Sequence, residues 1–165
     1  MKILGVDPGL RVTGYGVIKL VGQDVQLLEA GVVKTTTKLP IAERLAEIHE
    51  GLMSLIADTQ PDVMVIEKLY SDYRHPTTAI LMGHARGVIC LAAGLNKIPL
   101  ESLPSTRVKK MIVSHGHASK DQVGRAIQGI LGLKEVPKPA DVSDALAIAI
   151  GYGLTKAKFN TGLML

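Results

Sequence analysis

The sequence is poor in aromatic residues and in cysteine. Tryptophan is absent and aromatic residues make up only 3% of the 165 positions, so the hydrophobic core must be aliphatic. Cys90 is the only cysteine, which excludes an intramolecular disulfide. It lies in the apolar run GVICLAAG, where we expect it to pack as a small hydrophobic residue.

Targeting and membrane segments are also not expected. Asp7 interrupts the apolar N-terminal stretch too early for a signal peptide. A membrane-spanning helix needs roughly 20 consecutive apolar residues, and we expect none here. These features predict a soluble, cytoplasmic protein.

Several catalytic motifs are missing from the sequence. There is no P-loop, no Cys-His cluster of the kind that binds zinc, and no Ser-His-Asp pattern that would activate a nucleophile. Gly14 and Gly16 alternate on a predicted strand, but they match a dinucleotide-binding pattern poorly. Close packing of a helix is the commoner reason for such glycines.

The composition fits one globular domain over residues 1–165, with roughly the last ten residues flexible. Hydrophobic residues make up 47%, charged residues 21%, and the formal net charge is +4. The positive charge is concentrated in residues 104–125, here called the basic segment. Its charged residues are Arg107, Lys109, Lys110, Lys120 and Arg125, against the single acid Asp121. A local basic stretch favours nucleic-acid binding, although a solvated helix face remains the alternative.

Four carboxylates stand at the ends of predicted elements, and we call them the acidic cluster. Asp7 ends the apolar segment KILGVD, Glu67 ends VMVIE, and Asp141 and Asp144 open the apolar segment DVSDALAIAI. A carboxylate beside a buried core is costly unless it is paired or binds a cation. Converging carboxylates suit Mg²⁺, and four could hold two ions roughly 4 Å apart.

Each of these carboxylates also has a purely structural interpretation. Asp7 could form the turn with Pro8-Gly9, and Glu67 could be the first polar residue after a strand. Asp141 and Asp144 could cap a helix. Asp7 shares a strand face with Gly5, which should leave open space beside the carboxylate.

Two polar loops carry further candidate residues. Residues 68–78 contain Tyr70, Tyr73, Arg74 and His75, and aromatics beside a cation suit stacking on unpaired bases. The alternative is that these tyrosines fold back on the core. His115 and His117 flank Gly116, and we interpret them as solvent-facing loop residues rather than metal ligands.

The periodicity of the sequence predicts an α/β fold with one mixed sheet flanked by helices. Three strands come first, and helices alternate with the remaining two strands. The predicted strands are 2–8, 12–20, 25–36, 63–67 and 98–102, and the predicted helices are 41–59, 77–95, 105–113, 119–131 and 141–155.

These residues resemble the RuvC family of bacterial Holliday-junction resolvases, within the ribonuclease H-like superfamily. The strings GVDPGLRVTGYGVI, VIEKLY, GHARGV and PADVSDALAIAI carry the resemblance, in the family's order and spacing. The resemblance implies a ribonuclease H-like mixed five-stranded sheet, with Asp7, Glu67, Asp141 and Asp144 as catalytic metal ligands. Tyr70 matches an aromatic position that contacts DNA near the junction centre. Lys109 and Lys120 match basic positions linked to DNA binding and catalysis.

The function implied by this resemblance is that of a Mg²⁺-dependent endonuclease in homologous recombination and DNA repair. It would resolve four-way DNA junctions by paired symmetric nicks that leave 5′-phosphate ends, using two Mg²⁺ ions or Mn²⁺ as a substitute. The expected partners are a second copy of the chain, with helix 77–95 as the candidate interface, and the RuvA–RuvB branch-migration complex. The expected location is the bacterial cytoplasm. The expected DNA-binding residues are Tyr70, Tyr73, Arg74, Arg107, Lys109, Lys110 and Lys120.

Three other functions stay open on the sequence. An actin-like ATP-binding domain also uses an Asp-x-Gly hairpin, although 165 residues cannot supply its usual two lobes. A non-catalytic junction-binding module would use the same acids only for turns and caps. A ribonuclease H-like nuclease for RNA–DNA hybrids would share the acidic cluster.

Overall fold

The computed structural model describes residues 1–68 and 76–160. Five strands form one mixed sheet, in the spatial order β3-β2-β1-β4-β5. The strands are β1 (Lys2–Asp7), β2 (Val12–Val21), β3 (Asp24–Lys34), β4 (Val63–Glu67) and β5 (Leu100–Leu103). The first three are antiparallel neighbours, whereas β4 runs parallel to β1 and β5 parallel to β4. The predicted α/β class and mixed five-stranded sheet are confirmed.

Five helices accompany the sheet in the described part of the chain. They are α1 (Ile41–Thr59), α2 (Pro76–Leu95), α3 (Ser105–Val113), α4 (Lys120–Leu131) and α5 (Ala140–Asn160). The prediction placed the end of α5 near residue 155, which is too early, since the helix continues to Asn160. The last strand also begins later than predicted, at Leu100, directly after Pro99. Proline lacks the N–H that a strand ladder needs.

Local sequence signals account for the buried face of α1 and for both ends of α4. Ile48, Leu52, Leu55 and Ile56 recur at helical spacing and give α1 one buried face. Helix α4 begins with the predicted capping box, in which the Ser119 side chain accepts from the Gln122 backbone N–H and the Gln122 side chain accepts from that of Ser119. It ends at Gly132, whose φ of 63° lies in the left-handed region that glycine adopts without strain.

Two aliphatic cores lie on opposite faces of the sheet. Ile3, Val63 and Val65 belong to the core under α3, α4 and α5. The alternate residues Leu4 and Met64 belong to the core under α1 and α2. Because both faces are covered, β1 and β4 are nearly continuous apolar runs, as expected for parallel strands buried on both sides.

Helix α5 lies unusually close to the central strands because glycines face it. Gly5 and Gly16 are opposite each other on β1 and β2. A Cβ at Gly5 would collide with the backbone of Ala145 and Ala149, and one at Gly16 with Leu146. The space beside Gly5 is therefore filled by α5, and the expectation that it lies open next to Asp7 is wrong. The helix-packing interpretation of Gly16 is confirmed.

Helix α2 also differs from the sequence-based expectation. Residues Thr77–Leu95 have a mean hydropathy of 1.5 and are long and apolar enough to cross a membrane, by length and composition alone. The expectation that no segment would pass this test was wrong. One side of α2 packs in the core through Ala85, Ile89 and Ala92, while Ile80, Leu91 and Leu95 stay exposed.

Candidate active site

Asp7 and Glu67 lie side by side at one edge of the sheet. They are the last residues of β1 and β4, which run parallel with Val6 opposite Ile66. The carboxyl ends of parallel strands meet at the same edge, which is where open α/β sheets gather their ligands. The parallel pairing of β1 with β4 is therefore the reason that these two acids share one edge of the sheet.

Asp141 reaches the same edge because Gly14 has no side chain. Gly14 is the partner of Asp7 across the β1–β2 ladder. A Cβ at Gly14 would collide with the backbone of Asp141, so the start of α5 rests directly on this glycine. Asp144 follows three residues later on the same helical face. A backbone contact thus places the first turns of α5 beside the Asp7 carboxylate.

The other three acids act on Asp7. The pKa of Asp7 is raised from an ordinary value of 3.8 to about 7, chiefly by burial and, in decreasing order, by the charges of Asp144, Asp141 and Glu67. The nearby charge of Lys120 acts in the opposite direction. Asp7 therefore holds its proton about three pH units longer than a free aspartate, because ionising it adds a further negative charge to a crowded, partly buried site.

Lys120 contacts the acidic cluster directly. Its Nζ atom lies 2.7 Å from Oδ2 of Asp144, in an ion pair whose side chains are 75% and 31% exposed. The hydrogen bond to Asp144 is the main cause that raises the pKa of Lys120, and the charges of Asp144, Asp7 and Asp141 act in the same direction. We predicted Lys120 as a phosphate contact. The structure places its ammonium group on a carboxylate of the predicted metal site.

A cavity of about 240 Å³ adjoins this ion pair. Glu67, Asp144, Lys109 and Lys120 supply its charged groups. Its apolar and hydroxyl lining comes from Ser105, Val108, Val123, Ala147 and Ile148. The cavity therefore brings one acid of the sheet, Glu67, and one acid of α5, Asp144, together with two cationic residues of the basic segment.

The other predicted DNA-binding residues divide into two groups. Arg107 and Lys110 lie exposed on α3, and Lys109 is half-buried at the cavity. Tyr70, Tyr73 and Arg74 lie outside the described residues. Elsewhere in the basic segment, Arg125 is engaged by Asp121 at 3.1 Å on the surface of α4.

His115 and His117 do not join the acidic cluster. Both are exposed, as predicted, and their rings stand edge to face with centroids 5.9 Å apart. They line a different cavity with Gln122 and Arg125. No role for them follows from this arrangement.

Arg86 was missed by the sequence prediction. From α2 its guanidinium donates to the backbone oxygen of Glu67 at 2.6 Å and to the hydroxyl of Ser102 on β5 at 3.2 Å. It therefore ties the end of β4 to β5 and to α2. The available signal was a lone charged residue inside the apolar helix 77–95, because such a charge needs a polar partner.

The donor chemistry of the acidic cluster fits a hard divalent cation. All four groups offer carboxylate oxygens. The raised pKa of Asp7 indicates that the positive charge near this site is too small to balance the carboxylates. In residues 1–68 and 76–160, however, no three Asp, Glu, His or Cys side chains are already arranged as a closed cage. One oxygen of Asp144 is turned toward Lys120 instead.

The sheet and the acidic cluster together define a ribonuclease H-like α/β protein. A yeast mitochondrial Holliday junction resolvase shares this fold at 18% identity, with a TM-score of 0.70 over 96% of this chain and 80% of the other. Within this class the assignment is narrower. The chain belongs to the RuvC family, because the family model "Crossover junction endodeoxyribonuclease RuvC" matches residues 3–152.

Close relatives support the same assignment. A protein of that name from Rhodopirellula baltica is 51% identical over 148 residues, which is 90% of this chain and 83% of the relative. Its counterpart from Alkaliphilus metalliredigens is 41% identical and covers 91% of both chains. The structure of T. thermophilus RuvC in complex with a Holliday junction substrate is 33% identical, with a TM-score of 0.91 over 96% of each chain.

Proposed function

We propose that this protein is a structure-selective endonuclease that cuts four-way DNA junctions by paired symmetric nicks, in recombination and repair. The convergence of Asp7, Glu67, Asp141 and Asp144 at one sheet edge carries the proposal, because it supplies a site for phosphodiester hydrolysis beside a basic segment. The RuvC relatives, one of them seen with a Holliday junction substrate, support the choice of junction DNA.

The proposed mechanism assigns different tasks to the two charged regions. Mg²⁺, bound by Asp7, Glu67, Asp141 and Asp144, would activate water and stabilise the leaving oxygen of an in-line displacement. The products would then carry 5′-phosphate and 3′-hydroxyl ends. Arg107, Lys109 and Lys110 would hold backbone phosphates of the junction. Tyr70, Tyr73 and Arg74 remain our predicted contacts to unpaired bases.

We also propose that the working form is a homodimer held through α2. Ile80, Leu91 and Leu95 are 61%, 53% and 61% exposed, and they recur along one side of the helix. Gly83 and Gly87 lie between them, and a Cβ added at either would meet nothing within 4 Å. An apolar helix face with open space above its glycines suits close packing of a second, two-fold related α2. Two copies would present two acidic clusters to opposed junction strands.

Sedimentation of the purified protein tests the dimer. We expect a dimer at micromolar concentration and a monomer for Leu91→Glu, whereas Leu28→Glu, at an exposed apolar position of β3, should remain dimeric. A monomeric parent protein would refute the interface. Uptake of the monomer into lipid vesicles would instead favour a membrane contact for α2, the other occupant that its composition allows.

The cellular setting is proposed on the same grounds. The bacterial relatives are named as junction endonucleases, so we propose that this chain acts in the bacterial cytoplasm and cooperates with a RuvA–RuvB motor. Pull-down with purified RuvA and RuvB on a junction would test that partnership.

The decisive experiment compares substrates in parallel. A labelled four-way junction, a linear duplex and an RNA–DNA hybrid are incubated with the protein, with and without Mg²⁺ or Mn²⁺. We expect paired nicks only in the junction and only with metal. Preferred cleavage of the hybrid, ATP hydrolysis without DNA, or junction binding without any metal-dependent cleavage would each support one of the alternative functions instead.

A further inference from the structure

Lys120 occupies a position that local helix energetics disfavour. It is the first residue of α4, directly after the Ser119 cap. The N-terminus of a helix carries partial positive charge, so a cation there is unfavourable. Its side chain is 75% exposed overall, yet the ammonium group is 2.7 Å from Asp144. The favourable contact of this ammonium group is therefore with Asp144 on α5 and not with its own helix.

The ion pair and a bound cation compete for the same oxygen. Asp144 Oδ2 accepts the hydrogen bond from Lys120, and Asp144 is one of the four proposed ligands. A divalent ion that uses this oxygen must displace the ammonium group, which would otherwise stand a few ångströms from the ion and repel it. As long as Lys120 has no other partner, it weakens metal binding.

DNA offers Lys120 that other partner. The lysine lines the cavity that Glu67 and Asp144 share with Lys109, which we propose as the approach of a phosphate to the site. Because its side chain is long and mostly exposed, it can exchange a carboxylate for a phosphate oxygen without moving α4. When it does so, Asp144 becomes free to bind metal.

We propose that Lys120 is a positioning residue that couples substrate binding to metal binding. Without DNA it holds Asp144 and keeps metal affinity low; with DNA it transfers to a phosphate and releases Asp144. By thermodynamic reciprocity, metal then tightens DNA binding by the same factor. The inference rests on the proposed function, because it requires both a metal and a polyanionic substrate at this site.

Lys109 provides a matched control. It lines the same cavity and carries the same charge, but among the described residues it forms no ion pair with the acidic cluster. Lys120→Met and Lys109→Met therefore remove equal charge from one cavity. Each variant removes one positive charge from the lining of the cavity, and only Lys120→Met also removes the contact with a ligand oxygen.

The first measurement is Mg²⁺ binding without DNA, by calorimetry. We expect Lys120→Met to bind Mg²⁺ roughly fivefold or more tighter than Lys109→Met, a factor at the lower end of typical coupling. Equal affinities in the two variants, or weaker binding by Lys120→Met, would overturn the inference.

The second measurement is junction affinity with and without Ca²⁺, which uses the same oxygen ligands as Mg²⁺. We expect both variants to bind the junction more weakly than the parent protein. The ratio of affinities with and without Ca²⁺ should be preserved in Lys109→Met and reduced in Lys120→Met by about the factor gained in metal affinity. An unchanged ratio in Lys120→Met would refute the coupling.

The behaviour of the parent protein distinguishes a failure of the proposed function from a failure of the coupling. If it binds no divalent cation and cuts no junction, the proposed function itself fails. If it binds metal and cuts, but the two lysine variants behave alike, only the coupling fails.

Discussion

The acidic cluster and the basic segment differ in how the fold holds them. The acids stand on two strand ends and a helix start, and backbone contacts such as that of Asp141 on Gly14 set their positions. The cations Arg107 and Lys110 project from the exposed surface of α3 on long side chains. Cleavage should therefore fall sharply when the acids are displaced slightly, whereas junction affinity should fall gradually as cations are removed one by one. The following predictions test this difference.

Asp7→Asn should produce the largest loss. The amide keeps the shape of the carboxylate but removes the central negative charge, so we expect cleavage to fall by a thousandfold or more, about 4 kcal/mol, with junction affinity retained. Single-turnover cleavage and binding assays measure the two quantities. Asp121→Asn, which changes an exposed acid on α4, is the control and should cut normally. Substantial metal-dependent cleavage by Asp7→Asn would remove Asp7 from the catalytic set.

The raised pKa of Asp7 predicts an unusual pH dependence of stability without metal. Because the folded pKa of about 7 lies above the ordinary 3.8, its contribution is fully present below about pH 4 and is lost as pH rises through 7. A shift of about three units corresponds to at most about 4 kcal/mol. Urea unfolding in chelator should therefore show a decline in stability over this range that Asp7→Asn lacks. Parallel pH profiles for the two proteins would contradict the assignment.

Gly14→Ala tests the backbone contact that places Asp141. The added methyl group cannot fit against the Asp141 backbone, so α5 must shift. We expect a loss of 1–3 kcal/mol in stability, as for other overpacked sites, and roughly a hundredfold loss of cleavage. Gly129→Ala, on the exposed side of α4 with nothing within 4 Å, should instead be neutral or slightly stabilising. Full activity in Gly14→Ala would show that the contact between Gly14 and Asp141 does not set the geometry of the site.

Arg86→Gln should have a moderate effect through Glu67. Losing the guanidinium leaves the Glu67 carbonyl and the Ser102 hydroxyl without their donor, and loosens the end of β4. We expect about a tenfold lower cleavage rate, with Mg²⁺ affinity reduced and the dimer intact by sedimentation. Arg86→Lys should recover part of the rate, because an ammonium group can reach one of the two acceptors. A lost dimer with normal metal affinity would point to a role in α2 packing only.

Changes in the basic segment should have the smallest individual effects. Arg107→Ala, Lys109→Ala and Lys110→Ala should each weaken junction binding and reduce the slope of log affinity against log salt by about 1. Lys19→Ala is the control, because Lys19 pairs with Lys2 at the opposite end of β1 from Asp7. If the slope stays the same in all three variants, the basic segment does not contact phosphates.

Local patterns in the sequence were sufficient for much of this structure. Helical spacing in residues 41–59 and the Ser119–Gln122 capping box specify α1 and the start of α4, because these interactions lie within a few residues of each other. Acids at the boundaries of apolar runs identified the four candidates, with Asp7 and Glu67 at the end of a run and Asp141 and Asp144 at the start of one. The same patterns could not show that α5 fills the space at Gly5, or that Arg86 reaches the end of β4, because both contacts join distant parts of the chain.

The residue types, their order and the family membership can all be read from the linear chain. Which charges meet depends on how that chain folds. The parallel pairing of β1 with β4 places Asp7 beside Glu67, and the missing side chain of Gly14 leaves room for the backbone of Asp141. Lys120 is a candidate phosphate contact in the sequence, but in the fold α4 lies beside α5 and the lysine pairs with Asp144. The physical reason is that Coulomb energy depends on distance in space, and folding sets that distance between residues far apart along the chain.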